Sequence, residues 1–310
     1  MNSIKQKLCD FYNRFYDWKM FVLDDLYRLC HRQLRILSKE NTLDLVLERR
    51  MSLSRFGDGE LKIIDGGSIG FQKADARLAE RLRLILQSPP NGDSLLVCMT
   101  DIFGPLRQGA AYNYYRHLLP TCRKRWYTYL NFDYSYGCAD ITRFATSCNV
   151  QYSAVAEWVD KLKSIWADRR ILIIEGSQSR LGVGNDLFDN VKDIGRLLAP
   201  PVNSFDAYDE LLAASRMHAP KYDLAILALG PTASVLAADL ASDGIWALDL
   251  GHIDIQYECF KRGYTKVQKI PGKFTNEGPD PFNVSECKDE HYLRQILARV
   301  MSEKHVTSDL

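Results

Sequence analysis

Apolar residues recur every three or four positions through the first thirty residues of the chain, which predicts one long amphipathic helix. The stripe consists of Ile4, Leu8, Phe11, Phe15, Trp18, Val22, Leu26 and Leu29. Its flanks carry Lys5, Lys7, Arg14, Lys19, Arg28, Arg32 and Arg35. Such a helix can pack on a main domain, pair with a second copy as a homodimer, or lie on a membrane surface. We expect packing or pairing, because the positive charge is diluted by Asp10, Asp17, Asp24 and Asp25.

From residue 41 onward, short apolar segments alternate with segments of helical periodicity. The apolar segments predict strands at 52–56, 94–99, 170–176, 195–200, 223–230 and 245–251. The periodic segments predict helices at 41–50, 75–88, 105–120, 151–166, 184–193, 206–218 and 233–243. Another helix is predicted near 289–303, after a loop rich in proline and glycine.

This alternation is typical of a parallel sheet that is covered by helices on both faces. We therefore predict an α/β fold, Rossmann-like and doubly wound, with a mostly parallel sheet over residues 45–270. Residues 1–44 are predicted to form an N-terminal helical extension, and residues 271–310 a C-terminal loop and helix. Ligands of open α/β sheets bind in the turns beyond the carboxyl ends of the strands, so the chemistry is expected in those turns.

Composition narrows the classes of protein that fit this pattern. A net charge of +1 on 310 residues gives no general attraction for nucleic acid, so any anion site must be local. The eight cysteines include no CxxC pair, which argues against a zinc site or disulfide framework and favours a reducing compartment. No apolar run approaches the roughly 20 residues of a membrane span. We expect a cytoplasmic protein, peripheral at the inner face of the membrane if its first helix binds there.

The turn after the first of these strands crowds charge and glycine into the segment SLSRFGDGELKIIDGG, residues 52–67. Asp58 and Glu60 are hard oxygen ligands two positions apart, and in a turn or strand end they can face one cation together. Gly57 permits such a turn, and Arg55 is placed to take a phosphate oxygen. Alternatively, Asp58 caps a helix and Arg55 pairs with Glu60, so the pattern alone leaves a Mg²⁺ or Mn²⁺ site and a structural role open.

A second turn, rich in glycine, follows the clearest strand in the segment EGSQSRLGVGNDLFD, residues 175–189. Its distinctive residues are Gly176, Arg180, Gly182, Gly184, Asn185 and Asp186. Glycine amides and an arginine at a helix N-terminus can bind an anion. The segment is not a dinucleotide fingerprint, because Leu187 stands where the GxGxxG pattern needs its last glycine. A helix cap at Asn185 or Asp186 is the ordinary alternative, and it is compatible with ligand binding.

Two later turns add polar groups at strand ends. In LGPTAS, residues 229–234, the amides and the hydroxyl of Gly230 and Thr232 can hold phosphate or sugar, although a tight turn with Pro231 opening a helix is the simpler explanation. The segment LDLGHIDIQYECF, residues 248–260, clusters Asp249, His252, Asp254 and Glu258. A helix starting near the histidine places the last two carboxylates on one face, where they can act as a metal ligand, a sugar-hydroxyl acceptor or a general base.

The chain resembles the GT-D-type glycosyltransferases of bacterial polysaccharide and adhesin-glycosylation clusters. The resemblance rests on four segments, which are, in chain order, SRFGDGE, GVGNDLFD, ALGPTASVLAADL and DLGHIDIQYECF. The resemblance covers about residues 45–265 and leaves the first helix and the tail outside it. It implies a Rossmann-like enzyme that transfers a sugar, typically glucose, from a UDP-sugar to a glycan or lipid-linked glycan acceptor, with Mn²⁺ or Mg²⁺.

The resemblance also implies roles for individual residues. The family's DxE motif maps onto Asp58 and Glu60, and the arginine before it maps onto Arg55. The glycine-rich turn maps onto Gly184, Asn185 and Asp186, and the late histidine and glutamate map onto His252 and Glu258. The resulting hypothesis is that Asp58 and Glu60 hold the cation while Arg55, Arg180 and the turn around Gly182 neutralise the leaving UDP. Glu258 or Asp254 then deprotonates or orients the acceptor hydroxyl, and His252 positions phosphate or sugar.

Three other functions remain open from the sequence. A nicotinamide-dependent oxidoreductase would need a complete GxGxxG turn with an acidic ribose partner, and the sequence lacks that set. A metal-dependent nucleotide phosphohydrolase would use the same acidic residues and histidine near phosphate. A catalytically inactive module that binds nucleotide sugars would keep the same turns. The donor sugar, the acceptor and the stereochemical outcome are not set by these motifs.

Overall fold

The computed structural model describes residues 2–30, 32–90, 92–100, 125–145, 152–276, 281 and 284–301. Nine strands of the described chain form one sheet in the order β1-β4-β3-β2-β8-β7-β5-β6-β9, and every adjacent pair is parallel. The strands are β1 (Arg35–Ile36), β2 (Ser52–Phe56), β3 (Leu95–Met99), β4 (Ser135–Cys138), β5 (Arg170–Gly176), β6 (Asp193–Ala199), β7 (Leu224–Ala228), β8 (Ala247–Asp249) and β9 (Ile296–Arg299). The predicted parallel α/β fold is confirmed.

Helices alternate with these strands along most of the described chain. They are α1 (Asn2–Cys30), α2 (Lys39–Arg49), α3 (Asp58–Ile64), α4 (Ala76–Gln87), α5 (Tyr152–Lys163), α6 (Tyr208–His218), α7 (Pro231–Ser242), α8 (Ile253–Lys261) and α9 (Glu290–Gln295). The helix predicted at 105–120 lies outside the described residues. Within the part of the chain that the structure describes, no helix is both long and apolar enough to cross a membrane.

The sheet separates two apolar cores, as expected for a doubly wound fold. Along β5, Leu172 and Ile174 face the core that is covered by α3, α4, α6 and α7. Ile171 and Ile173 face the opposite core, under α2, α5 and α8. Successive residues of a strand point to opposite faces, so a strand that is apolar throughout is buried on both sides. This explains why RILIIEG was the clearest strand in the sequence.

The chain reverses its direction of travel across the sheet between β2 and β8. From β2 it continues through α3 and α4 to β3 on one side, whereas from β8 it continues through α8 toward β9 at the far edge on the other side. Brändén's rule places ligands of open α/β sheets at such a switch point, beyond the carboxyl ends of the strands. We call this edge of the sheet the rim.

Two predicted helices are wrong. Residues 184–193 form turns and the start of β6, because the side-chain oxygen of Asn185 accepts a 3.1 Å hydrogen bond from the Leu187 amide and so competes with helical pairing. In the tail, the helix predicted over 289–303 stops at Gln295, and Ile296–Arg299 instead add a parallel strand beside β6. That strand covers an edge that β6 would otherwise expose.

Helix α1 has the predicted length, but it does not bury its apolar stripe on the main domain. Leu8, Phe11, Phe15 and Trp18 are each more than half exposed. Contact with the body occurs near its C-terminal end, where the Tyr27 and Tyr127 rings meet edge to face at 5.3 Å between centroids. The expected packing on the domain is therefore wrong for these side chains.

Candidate active site

An ion pair joins the ends of β2 and β8 at the rim. The Arg55 guanidinium donates to the Asp249 backbone oxygen at 2.6 Å and lies 3.3 Å from its carboxylate. It also donates to the Ala139 carbonyl at 3.1 Å and the Thr142 hydroxyl at 2.7 Å. Arg55 therefore pairs with Asp249 and not with Glu60, so the alternative pairing considered from the sequence is wrong. The four bonds fix the arginine between three segments of the rim.

The predicted acidic pair lies in the first turn of helix α3. Gly57 precedes the helix, Asp58 opens it, and the Glu60 carboxylate turns back to accept a 2.7 Å hydrogen bond from the Gly57 amide. Glutamate at the third helical position commonly caps a helix in this way. Asp58 pairs with Lys62 one turn later, at 2.7 Å. The residues are thus helical and not in the open turn that we predicted, but the cap bond brings Glu60 back toward Asp58.

Glu60 is the carboxyl group of the rim whose charge is least well compensated. Loss of hydration on burial raises the pKa of Glu60 to about 7, and repulsion from Asp249 and Asp58 adds to this rise. Burial also raises the pKa of Asp249, although Arg55 opposes that change. We call Arg55, Asp58, Glu60 and Asp249 the β2–β8 cluster. Arg55 pairs with Asp249 and Lys62 pairs with Asp58, so Glu60 is the acidic residue of this cluster left for a bound cation to compensate.

A second polar cluster lies on the first turns of helix α8. The Asn185 amide donates 2.8 Å hydrogen bonds to both Asp254 and Glu258, which the helix places four residues apart on one face. The Lys273 ammonium bonds to the same two carboxylates, at 2.6 Å to Asp254 and 3.2 Å to Glu258. The Gly182 amide donates a further 2.8 Å bond to Asp254. We call Asn185, Asp254, Glu258 and Lys273 the α8 cluster.

The α8 cluster favours an ionised Glu258. Burial opposes its ionisation, but hydrogen bonds from Asn185 and Arg262 and the positive charge of Lys273 lower the pKa of Glu258 below its ordinary value. A general base works best when its pKa lies near the working pH. Glu258 is therefore better suited to orienting a hydroxyl group than to removing its proton.

Two unpartnered polar atoms lie at the start of α7 and α8. His252 Nε2 and Thr232 Oγ1 are buried without a hydrogen-bond partner within the described residues. Burial and the charges of Arg143 and Arg55 hold the pKa of His252 well below its ordinary value, so the imidazole is neutral at neutral pH. Buried polar atoms in proteins are nearly always paired, so both atoms suit a partner that a ligand supplies.

Other predicted donor-binding residues have structural partners. The buried Arg180 guanidinium donates to the Gly272 carbonyl at 2.6 Å and to the Ser285 carbonyl at 2.5 Å, so it fastens the tail. Asp186 turns to Lys261, 3.2 Å away, and not to the α8 cluster. Gly230 lies under an aromatic ring, because a Cβ there would be 2.3 Å from Phe71. Their binding roles stay predictions.

Comparison with known proteins identifies the family. The sequence matches the family described as glycosyltransferase, GT-D fold, over residues 53–278. That range contains both clusters and more than half of the chain. The chain belongs to the GT-D-fold glycosyltransferase family. Helix α1 lies outside the matched range of this GT-D protein.

Two solved structures share the GT-D fold. One is described as a new glycosyltransferase (DUF1792) from Streptococcus sanguinis and is 34% identical, covering 86% of this chain and all of that chain with a TM-score of 0.79. The other is described as a domain with a distinct glycosyltransferase fold and is 34% identical, covering 87% of this chain and 96% of that chain with a TM-score of 0.78.

Two curated relatives are longer proteins. A probable glycosyl transferase Gly of Streptococcus gordonii is 36% identical over 282 residues, which cover 88% of this chain and 40% of the relative. The glycosyltransferase GlyD of Streptococcus pneumoniae is 35% identical over 269 residues, which cover 85% of this chain and 32% of the relative. The chain therefore spans less than half the length of the curated relatives it matches.

Lys273 is a member of the α8 cluster of this GT-D protein that the sequence pattern does not predict. It lies in the proline- and glycine-rich loop KIPGKF, fifteen residues after Glu258, and only the folded chain brings it to the carboxylates. Its side chain is 5% exposed, and those of its partners Asp254 and Glu258 are 2% and 6% exposed. Phe71 was missed for the same reason, since its position beside Gly230 depends on the fold.

Replacing Lys273 by Met is expected to destabilise the protein by about 3 kcal/mol at neutral pH, because two buried carboxylates lose their shared cation. The pKa of Glu258 is lowered in the folded protein, so its favourable contribution exists above its unfolded-state pKa and disappears as the pH falls through the folded value. The difference in unfolding free energy should therefore shrink in acid. Denaturant unfolding against pH measures this, with the exposed Lys266→Met as the control. Equal losses at every pH would contradict the assignment.

A matched pair of glycine variants tests the turn that carries Asn185. Gly182 and Gly184 both have left-handed backbones, with φ of +74° and +77°. A Cβ at residue 182 would be 2.5 Å from the Phe188 ring, whereas one at 184 meets nothing within 4 Å. We expect Gly184→Ala to cost about 1 kcal/mol from backbone strain and Gly182→Ala to cost about 3 kcal/mol, because packing is disturbed as well. Equal unfolding free energies for the two variants would contradict the described turn.

Proposed function

We propose that the chain is a metal-dependent glycosyltransferase that moves a hexose from a UDP-sugar to a glycan or lipid-linked glycan acceptor, with UDP-glucose the first donor to test. The observation that carries this proposal is the position of Asp58 and Glu60. Both follow β2 at the switch point of the sheet, and burial together with the nearby charges of Asp249 and Asp58 raises the pKa of Glu60 to about 7. Family membership supports sugar transfer as the reaction class.

The residues of the β2–β8 cluster fit Mg²⁺ or Mn²⁺. Carboxylate oxygens are the ligands that these hard cations prefer, and Mg²⁺ is commonly held by one or two carboxylates together with substrate phosphates. Among the described residues, no three His, Cys, Asp or Glu side chains form a metal site by themselves. A site completed by the donor diphosphate agrees with that finding. When bound, the cation would neutralise charge on the diphosphate.

Binding of the donor is assigned to the rim beside Asp58 and Glu60, at the ends of β7 and β8. His252 Nε2 and Thr232 Oγ1 are the unpartnered atoms that can bind phosphate or sugar hydroxyl oxygens. Arg55 already uses its guanidinium on Asp249 and on the 139–142 segment, so we assign it to positioning Asp249 more than to phosphate binding. Its positive charge still favours a diphosphate nearby.

The transfer step forms a bond from an acceptor hydroxyl oxygen to the sugar C1 and breaks the bond from C1 to the β-phosphate oxygen. The acceptor hydroxyl releases its proton to solvent as the new bond forms, and UDP departs with the bonding electron pair. Glu258, which is held ionised by Asn185, Lys273 and Arg262, is assigned to accepting a hydrogen bond from a sugar or acceptor hydroxyl. Preorganised groups of this kind act most strongly where charge develops in the transition state.

A panel of UDP-sugars tests the proposal. The full chain is incubated with each donor, with and without Mn²⁺, while thermal stability and UDP release are followed. A bound donor raises the unfolding temperature as its concentration exceeds Kd. We expect one UDP-sugar to stabilise the protein and release UDP only with the cation. Inorganic phosphate release without sugar transfer would indicate a phosphohydrolase, and tight binding without turnover would indicate an inactive binding module. Either result would overturn the proposal.

A further inference from the structure

Helix α1 carries most of the exposed apolar side chains in the described chain. Of fifteen large apolar side chains that are exposed, nine lie on this helix. They are Leu8, Phe11, Tyr12, Phe15, Tyr16, Trp18, Leu23, Leu26 and Leu29, with exposed fractions from 36% to 83%. An apolar surface formed by this many exposed side chains on one helix usually marks a binding site.

The basic residues of α1 lie along the edges of the apolar stripe, and most of the acidic residues lie farther from it. At 3.6 residues per turn, Lys7 and Arg14 lie along one edge of the stripe, and Lys5 and Lys19 lie along the other. The acidic positions 10, 17 and 24 are spaced by seven residues and fall on the opposite side of the helix. Position 25 is the exception, at one edge near the C-terminal end. The apolar surface is thus bordered by cations on both sides.

This arrangement disfavours a second copy as the occupant. Ile4, Leu8, Phe11, Phe15, Trp18 and Val22 follow the alternating spacing of four and three residues found in coiled coils. In that pattern Lys7 and Arg14 occupy one flanking position, and Lys5 and Lys19 occupy the other. Pairing two copies in either direction would place cations of one chain against cations of the other. Like charges across such an interface oppose association.

We propose that α1 lies flat on an anionic lipid surface, with its aromatic and leucine side chains inserted and its lysine and arginine edges at the headgroups. Interfacial helices combine an apolar face containing Trp, Phe and Leu with cations beside it. The long stems of lysine and arginine cover apolar surface while their charges reach the headgroups. Tyr12 and Tyr16 lie on the Lys5 and Lys19 side, where amphipathic rings suit the interface. This inference is independent of the proposed reaction.

Vesicle flotation of the full chain tests the proposal. The chain is mixed with phosphatidylcholine vesicles, with or without phosphatidylglycerol, at low and high salt. One variant combines Phe11→Ser, Phe15→Ser and Trp18→Ser, and a second combines Lys7→Glu, Arg14→Glu and Lys19→Glu. Asn13→Ser, on the opposite side of the helix, is the matched control. Circular dichroism melting confirms that each variant folds.

We expect binding to vesicles that contain phosphatidylglycerol, weakened by salt, with a loss of about tenfold or more in each triple variant and none in the control. Absence of binding by the unaltered chain would overturn the proposal. Equal binding by the aromatic triple variant would overturn it as well. Sedimentation that shows a dimer abolished by the same triple variant, without vesicle binding, would identify a second copy as the occupant.

Discussion

Replacing Glu60 by Gln is expected to remove metal-dependent sugar transfer while making the metal-free protein more stable. Glutamine is nearly the same size and can still accept the hydrogen bond from the Gly57 amide, which is 2.7 Å long in the structure. It cannot supply a charged ligand to a cation. Loss of a group that stabilises charge in the transition state typically lowers kcat by a hundredfold to about a thousandfold, and we expect the upper end for a metal ligand.

The stability gain follows from the pKa of Glu60. Its folded-state value of about 7 lies above its ordinary value of 4.5, so the folded protein holds the proton more tightly than the unfolded chain does. Ionisation of Glu60 therefore destabilises the fold as the pH rises from 4.5 through 7. Glutamine removes that penalty, which we put at about 2 kcal/mol at pH 8 after allowing for partial exposure. Below pH 4.5 the gain should disappear.

Thermal unfolding and turnover are measured on the same preparations, with the cation removed by chelation for the unfolding experiment. Glu210→Gln on the exposed face of α6 is the matched control and should change neither property. Full Mn²⁺-dependent turnover in the Glu60→Gln variant would rule out its role as a ligand. A loss of stability in the metal-free variant would instead contradict the described environment of the carboxylate.

Replacing Arg55 by Met is expected to cost about 4 kcal/mol of stability, because Asp249 is left buried without its cation. The two side chains are 11% and 6% exposed, so water replaces little of the lost interaction. The variant also loses the bonds to Ala139 and Thr142, which join the 139–142 segment to the rim. Arg55→Lys should recover only part of the loss, since an ammonium cannot make the same four bonds as a planar guanidinium.

A double-mutant cycle with Asp249→Asn separates the ion pair from the other contacts. Removing both charges avoids an isolated buried carboxylate, so the double variant should be more stable than the sum of the single losses predicts. We expect a coupling of about 2 kcal/mol between the two residues by denaturant unfolding. Additive losses would show that Arg55 and Asp249 do not interact as described.

The fold was largely predictable because apolar strands and amphipathic helices carry strong local signals. RILIIEG has the predicted bounds of β5, and the stripe of DARLAERLRLILQS gives α4 at Ala76–Gln87. The failures came from interactions that the local pattern does not contain. Asn185 competes for a backbone amide where helical periodicity continues. Ile296–Arg299 pair with a strand about one hundred residues earlier in the chain, which overrides the helical pattern.

The positions of the candidate residues at the rim were easier to predict from the sequence than their contacts. The strand ends correctly located Arg55, the 58–60 pair and the 252–258 segment at one rim, since parallel strands end at the same edge. The residues that contact these side chains come from parts of the chain that are distant in sequence. Lys273 reaches Asp254 from a loop with no regular pattern, and Arg180 turns to the tail although its sequence context suggested an anion site.

We propose that Asp58 and Glu60 share one donor site with the α8 cluster at the rim. A crystal structure of the full chain with UDP and Mn²⁺ tests it most directly. We expect an oxygen of each carboxylate to bind the cation directly, with the diphosphate between the starts of α3, α7 and α8. UDP bound away from that edge of the sheet, or a cation that contacts neither carboxylate, would contradict a shared site.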